Sequence, residues 1–341
     1  MTPSHPRSRG ALVLAALTLL LLLSIVAAVS LGAVRIPPAE VIDAIGRALR
    51  GEGAGLADAV IVDLRLPRVL LAALVGGSLA LAGVLYQALF RNPLADPYIL
   101  GVSSGAGLGA TLAFSFLATS YIARAVGVPA GAFVGAVLTM LVVVRVATRR
   151  GRLDSTSLLL AGVAISYTLA ALTSFVLVFE RESMATVVFW MMGGLQRASW
   201  AYVGILAGMF AVGAAIPAVY HRELDLMLMG DERAGQLGVS VERFKLLALG
   251  AASLVVAGAV AVSGLIGFIG LMMPHMVRLV IGPQHRLLLP ASVLAGASAL
   301  VLADLLARVI LAPAEIPVGI ITALAGGPFF VWLLVRKERA R

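Results

Sequence analysis

Few charged side chains lie within the apolar stretches of this chain. Asp304 and Arg308 stand four residues apart in one such run, a spacing that lets two side chains pair on one face of a helix. An unpaired charge inside a membrane would cost about 2.5–3.5 kcal/mol. Two interpretations stay open: a site for a coupling ion or proton, and a structural ion pair from which Arg308 reaches the surface. The second is favoured because no other carboxylate is available for a relay.

Arg65 and Arg68 flank Pro67 where another apolar run begins. Two guanidinium groups on a proline-stiffened entry turn can present fixed hydrogen-bonding forks to acidic partners. The alternative is that both side chains extend to the membrane interface, as long basic side chains do. The residues alone favour neither interpretation.

Motifs of known catalytic chemistry are absent from the sequence. It contains no GxxxxGK[ST] phosphate loop, no HExxH motif and no nucleophile beside a suitable base. There is no cysteine, which excludes disulfides and thiolate metal sites, and the four histidines show no ligand spacing. We therefore expect no catalytic residue, no metal site, no cofactor bound by this chain and no enzymatic activity of its own.

Composition indicates the class of protein. Of 341 residues, 61% are hydrophobic and 13% charged, and the mean hydropathy is +1.04, values that are incompatible with a soluble globule. The net charge of +9 is spread between apolar runs, which indicates membrane topology and not nucleic-acid binding. We predict an all-α, polytopic membrane protein with a single transmembrane domain over residues 1–341.

Ten apolar runs are predicted to cross a bilayer, whose core requires about 20 helical residues. They cover residues 11–34, 69–90, 98–118, 125–144, 155–179, 198–220, 246–267, 271–281, 287–310 and 316–335. The eighth has only about 11 residues and must be sheltered by protein. If it crosses, most of the 26 basic residues and both termini lie in the cytoplasm, as the positive-inside rule requires. A short amphipathic helix is predicted at residues 39–49.

A polar stretch over residues 224–245 separates the sixth and seventh predicted spans. Connections between packed helices usually have about 2–8 residues, so this stretch is long. We predict two short helices, with Asp231 capping one and Gly238 ending it in a left-handed conformation. Ser240 and Glu242 then begin the next helix. A capped hairpin at a membrane surface suits docking; the alternative is an ordinary connector.

Several long motifs resemble one family of transport proteins. They include RLPRVLLAALVGGSLALAGVLYQALFRNPLADPYILGVSSGAGLG at 65–109, GDERAGQLGV at 230–239, SGLIGFIGLMMPHMVRLVIGPQHRLLLP at 263–290 and AEIPVGIITALAGGPFFVWLL at 314–334. Over residues 11–336, and in the same order, they closely resemble the permease subunits of bacterial ABC importers for iron-siderophores, haem and vitamin B12. The alternative from another class is a secondary transporter or channel that is driven by an ion gradient through Asp304.

The resemblance implies partners and a cargo. It implies a homodimer in the bacterial inner membrane with ten helices per subunit and two cytoplasmic ATPase subunits that use ATP and Mg. It also implies a substrate-binding protein that is periplasmic or a lipoprotein. The implied cargo is a metal chelate, with an iron-siderophore first and haem or cobalamin next.

The resemblance also implies roles for particular residues. An ATPase coupling element over about residues 224–242 would act through Leu226, Met229, Asp231, Glu232, Arg233, Ala234, Leu237, Gly238 and Val239. The binding protein would dock on Arg65, Arg68 and Arg308. Cytoplasmic gates would be formed by Asn92, Leu94, Ser155 and Thr156, and the fifth and tenth helices would line the pathway at the dimer interface. Arg91 departs from relatives that carry an acidic residue before the NPLA motif.

Overall fold

The computed structural model describes residues 6–32, 34–52, 55–116, 121–149 and 152–339. In chain order the helices are α1 (Pro6–Ser30), α2 (Pro38–Leu49), α3 (Leu56–Ala59), α4 (Leu66–Leu89), α5 (Val102–Phe116), α6 (Tyr121–Ala147), α7 (Ser155–Phe179), α8 (Arg181–Met191), α9 (Trp200–Val219), α10 (His221–Met227), α11 (Asp231–Gln236), α12 (Val241–Ser263), α13 (Ile269–Ile281), α14 (His285–Val309) and α15 (Val318–Arg339). Strands β1 (Thr148–Arg149) and β2 (Arg152–Leu153) pair antiparallel between α6 and α7.

The membrane-crossing segments match the predicted spans one for one. Within the described ranges, seven helical segments are long and apolar enough to cross a membrane, and α5, α13 and α15 supply three shorter apolar segments. The short α13 packs against α4 and α14, which gives it the shelter in protein that its length requires. The predicted all-α fold is confirmed, and α2 lies where the amphipathic helix was expected.

Helix α4 is the centre of the bundle. Nearly all of its residues are buried, and it packs against α14, α12, α13 and α9. Glycines make this possible, because a Cβ at Gly83 would overlap the carbonyl oxygen of Gly270, and one at Gly76 that of Gly296. Backbone contact of this kind is how helices associate when lipid removes the hydrophobic drive between them.

The start of the second span differs from the prediction. The helical run begins before Val69 and continues from α3 through a π-helical turn, Val60–Arg65, into α4. Pro67 explains the turn, because proline lacks an N–H and its ring crowds the carbonyl four residues earlier, which a wider turn relieves. Arg65 and Arg68 therefore lie within a continuous helix, and the predicted entry turn at this position was wrong.

Helices α10 and α11 are the two short helices predicted for the central polar stretch, and we call them, together with the C-cap residue Leu237, the α10–α11 hairpin (residues 221–237). Gly238 has φ +91°, the left-handed conformation that was expected. The predicted cap was wrong: Gly230, with φ +101°, precedes α11, and Asp231 is its first residue. The Asp231 carboxylate bonds Lys245 instead of the helix N-terminus.

Candidate functional site

The α10–α11 hairpin exposes apolar side chains at one end of the bundle. Met229 is 53% exposed and Leu237 58%, and the charged Glu232 and Arg233 beside them are also exposed. Gly238 is exposed as well, whereas Ala234 is buried and Leu226, Asp231 and Val239 are half-buried. Exposed apolar groups rimmed by charge are typical of a surface that binds another protein.

Lys245 joins the α10–α11 hairpin to the β1–β2 hairpin. Its buried ammonium lies 2.5 Å from the Asp231 carboxylate and donates to the Leu153 carbonyl at 3.0 Å. Glu242 accepts a hydrogen bond from the Leu153 N–H at 2.7 Å. Both backbone groups of Leu153 are thus held by the first turns of α12, so that α11, α12 and β2 form one hydrogen-bonded unit.

The residues predicted as one gate follow this unit directly. Ser155 and Thr156 are the first two residues of α7, and Asp154 caps that helix by accepting a hydrogen bond from the Ser157 N–H at 2.7 Å. This bond, together with the nearby Lys245 ammonium, holds the pKa of Asp154 below its usual value. The start of α7 is therefore fixed to the unit that contains Asp231.

The residues predicted as the other gate also lie beside the α10–α11 hairpin. Asn92 accepts a hydrogen bond from the Leu94 N–H at 2.9 Å, which forms a tight turn of the kind that asparagine favours. Arg91 begins this turn at φ +50°. Its guanidinium lies close to Gly230, where a Cβ would come within 3.0 Å of Nη1. The α10–α11 hairpin therefore lies beside one predicted gate segment and is linked to the other through Lys245.

A further contact links α10 to α14. Asp225 accepts hydrogen bonds from the backbone N–H of His285 at 2.9 Å and from its ring Nδ1 at 2.7 Å. His285 is buried and is the first residue of α14. Sequence reasoning missed both this pair and Lys245. The only signals were a carboxylate and an imidazole 60 residues apart and a lysine at the start of an apolar run.

At the opposite end of the bundle, Asp304 is the centre of an arginine cluster. Asp304 is 1% exposed and accepts hydrogen bonds from Arg308 Nε at 3.0 Å and from Arg68 Nη2 at 2.9 Å. Arg68 also donates to Glu315 at 3.0 Å. The i, i+4 pair predicted from the sequence is confirmed, and the two carboxylates balance the two guanidinium groups.

The outer arginines also bind the end of α1. Arg308 donates to the Ala28 carbonyl at 3.0 Å, and Arg65 donates to the Val29 carbonyl at 2.7 Å. The last carbonyls of a helix lack intrahelical partners, so these guanidinium groups satisfy them. Arg308 is only 9% exposed. The prediction that its side chain reaches the surface was wrong, because Asp304 and the α1 carbonyls hold it inside.

The fold and these two ends define a class: a multi-pass membrane protein with an exposed hairpin at one end and a charged cluster at the other. The chain belongs to the FecCD transport family, whose model matches residues 20–336. The resemblance drawn from the sequence motifs is thereby confirmed.

Relatives and a solved structure agree with this assignment. The chain is 45% identical over 282 residues to the cobalamin import system permease protein BtuC of Halobacterium salinarum, covering 83% of this chain and 75% of that one. It is 41% identical to the hemin transport system permease protein HmuU of Yersinia pestis (82% and 84% covered). It is also 41% identical to the Fe(3+) dicitrate transport system permease protein FecD of Escherichia coli K12 (82% and 86%).

A solved inward-facing structure, described as a metal-chelate type ABC transporter, matches with a TM-score of 0.82 and 32% sequence identity. The match covers 95% of this chain and 98% of that one. This chain is therefore a transport permease of the ABC importer type.

Proposed function

We propose that two copies of this chain form the permease of an ATP-driven importer in the bacterial inner membrane, with both termini in the cytoplasm. Two ATPase subunits bind the α10–α11 hairpin, and a periplasmic or lipid-anchored binding protein docks at the arginine cluster. The observation that carries this proposal is the position of the α10–α11 hairpin, which lies against Arg91 beside one predicted gate and is joined through Lys245 of α12 to Leu153 beside the other. A movement of the ATPase would therefore reach one gate through the contact with Arg91 and the other through Lys245.

The arginines of the proposed docking face are already fixed in position by contacts within the chain. Arg65, Arg68 and Arg308 are held by internal partners, which fixes the positive cluster in place before a partner arrives. An acidic partner would meet a preorganised charge and would not have to order flexible side chains, a cost that otherwise weakens binding. Only Arg68 and Arg65 retain partial exposure to meet it, so we assign Arg308 a supporting part.

The proposed cargo is a metal chelate, with iron chelates first and cobalamin as the alternative. Two of the reported relatives carry names for iron chelates, hemin and Fe(3+) dicitrate, and one is named for cobalamin. We propose an iron-siderophore or haem on this basis. Uptake of labelled ferric siderophore, haemin and cobalamin by vesicles that contain the whole assembly distinguishes these cargoes.

The test of the mechanism uses proteoliposomes with the permease, its ATPase and its binding protein. We expect uptake only when ATP and the ATPase are both present. Replacing exposed hairpin residues, Met229→Ser together with Leu237→Ser, should abolish uptake because the ATPase loses its apolar contact, while Leu228→Ser tests a neighbouring exposed position as a control. Uptake by the permease alone under an ion gradient would contradict the proposal and support the channel or secondary transporter.

A further inference from the structure

A groove between α9 and α14 has an apolar wall and a basic rim. Its volume is about 600 Å³. Leu81 of α4 lies at its floor, and its sides include Phe210 and Ala214 of α9 and Leu289 and Val293 of α14. Helix α9 is largely exposed along its length. A groove with this lining, in a membrane-spanning chain, suits a hydrocarbon chain better than water.

The rim of the groove is formed by His221 and Arg286, its only ionisable lining residues within the described chain. Arg286 is exposed and has no hydrogen bond or ion pair to another described residue. The Nδ1 atom of His221 lies 3.0 Å from the Ala218 carbonyl, so Nε2 remains for an external group. With no carboxylate in its lining, this rim complements an anion.

The dimensions fit a lipid that enters from one leaflet. From Arg286 at the rim to Leu294 at the far end, α14 advances eight residues, which corresponds to about 12 Å. That length is less than half of a bilayer core of about 30 Å. The rim lies at the end that carries the α10–α11 hairpin, which is the cytoplasmic end in the proposed function.

We propose that this groove binds one acyl chain of an anionic phospholipid from the inner leaflet, with the headgroup phosphate between His221 and Arg286. A neutral zwitterionic headgroup adds a cationic amine that this rim disfavours. His221 is the first residue of α10 and Arg286 the second of α14, and the same two helices are joined by Asp225 and His285. The bound lipid therefore stabilises the junction between the α10–α11 hairpin and the bundle. Only the choice of leaflet rests on the proposed function.

The experiment measures lipid retained by the purified, full-length chain in detergent, using native mass spectrometry with phosphatidylglycerol or phosphatidylcholine. We expect the wild type to retain phosphatidylglycerol preferentially. The double variant His221→Gln, Arg286→Gln should lower that retention roughly tenfold, because two basic contacts are lost. Ala214→Trp fills the groove without changing charge and should lower retention of both lipids. Arg152→Gln, an exposed basic residue at the same end, is the matched control and should change nothing.

Three results would overturn the proposal. The first is equal retention of both lipids by the wild type. The second is loss of phosphatidylglycerol in the charge variant but not in Ala214→Trp, which would mean headgroup binding at the surface without the groove. The third is a change of oligomeric state in both variants, which would mean that a second copy of the chain covers the groove. No ATPase or uptake enters the assay, so a failure of the proposed function leaves the result unaffected.

Discussion

At the scale of residues, Asp304 lowers the free-energy cost of burying a charged cluster inside this bundle. Burying two guanidinium groups is expensive unless each is paired and hydrogen-bonded. Asp304 bonds both Arg68 and Arg308, Glu315 adds a second negative charge at Arg68, and α1 carbonyls accept the remaining donors of Arg308. An ion-coupling site needs a carboxylate that can release one partner for another, and a carboxylate clamped by two guanidinium groups is poorly suited to that task.

We predict that Asp304→Asn lowers the free energy of unfolding by about 3–5 kcal/mol, because it leaves two buried guanidinium groups without their shared partner. Denaturant or thermal unfolding of the purified protein in detergent measures the loss. Glu52→Gln is the control, since the Arg50–Glu52 pair lies on the surface and its loss should not be measurable. A stable Asp304→Asn protein that has specifically lost gradient-driven uptake would instead identify an ion site.

At this cluster, only the contact between residues close in sequence could be predicted. The pairing of Asp304 with Arg308 follows from helical periodicity alone and was predicted. The contact with Arg68, 236 residues away, depends on how α4 and α14 pack, and a single sequence carries no local signal of that packing. The burial of Arg308 was missed for the same reason. Lys245 and the Asp225–His285 pair are likewise long-range contacts.

At the scale of elements, the α10–α11 hairpin meets its neighbours at three places, two of them through polar contacts. The polar contacts reach α7 through Lys245 and Leu153 and α14 through Asp225, and the Arg91 side chain of the turn after α4 lies close to Gly230. The helices themselves are held by backbone contacts between glycines. Close-packed helices resist deformation, so we expect movement at the polar contacts around the ends of the bundle. This arrangement suits a rigid helix bundle whose end segments move relative to it.

We predict that Lys245→Met uncouples ATP hydrolysis from uptake in the assembled transporter. The variant keeps the side-chain volume but removes the bonds to Asp231 and Leu153, so movement of α11 no longer reaches the start of α7. Uptake per ATP hydrolysed should fall at least about tenfold, the effect of losing roughly 1.4 kcal/mol of coupling. Lys245→Arg, which keeps the charge, should retain most of the uptake. Normal uptake by Lys245→Met would show that the gate is moved by another route.

Helix packing gives a second prediction at this scale. Gly83→Ala should destabilise the protein by about 1–3 kcal/mol or more, the usual cost of overpacking, because the new methyl group meets the backbone of Gly270. Gly250→Ala is the matched control: it also lies in a membrane helix, but nothing is within 4 Å of the added Cβ. Thermal unfolding in detergent should separate the two variants, and equal stability would mean that α4 and α13 can move apart freely.

The sequence predicted which segments form helices better than it predicted where and how those helices begin. Nine of the predicted spans needed only length and apolar composition, and the short eighth needed the positive-inside rule. The helical start before Pro67 was missed because a π-helical turn has no sequence signature of its own, and the proline suggested a break. The cap predicted at Asp231 was wrong because Lys245, which lies 14 residues away, binds its carboxylate.

At the scale of the whole molecule, one exposed face of α7 carries hydroxyl groups that are poorly suited to contact with lipid chains. The side chain of Tyr167 is 76% exposed and lies about 18 Å along α7 from its start, near the middle of a bilayer core of about 30 Å. Tyrosine normally lies at the membrane interface, where its hydroxyl meets water. Thr156 and Ser174 share this exposed face of α7. A tyrosine hydroxyl at mid-membrane, with hydroxyl groups on the same face towards both ends of α7, favours a second subunit or a water-filled pathway over hydrocarbon.

We therefore predict that the Tyr167 face of α7 faces the twofold axis of a homodimer. The chain has no cysteine, so single cysteines introduced at Leu160, Tyr167 and Ser174 give a clean test in native membranes. A bis-maleimide reagent of about 10 Å should yield covalent dimers at these positions, since distances across a pathway exceed the roughly 4–7 Å between Cα atoms that a disulfide needs. Val212→Cys on the exposed face of α9 is the control and should remain monomeric. Cross-linking at Val212 but not on α7 would contradict this prediction. It would place the subunit interface, and the pathway between the two copies, on α9.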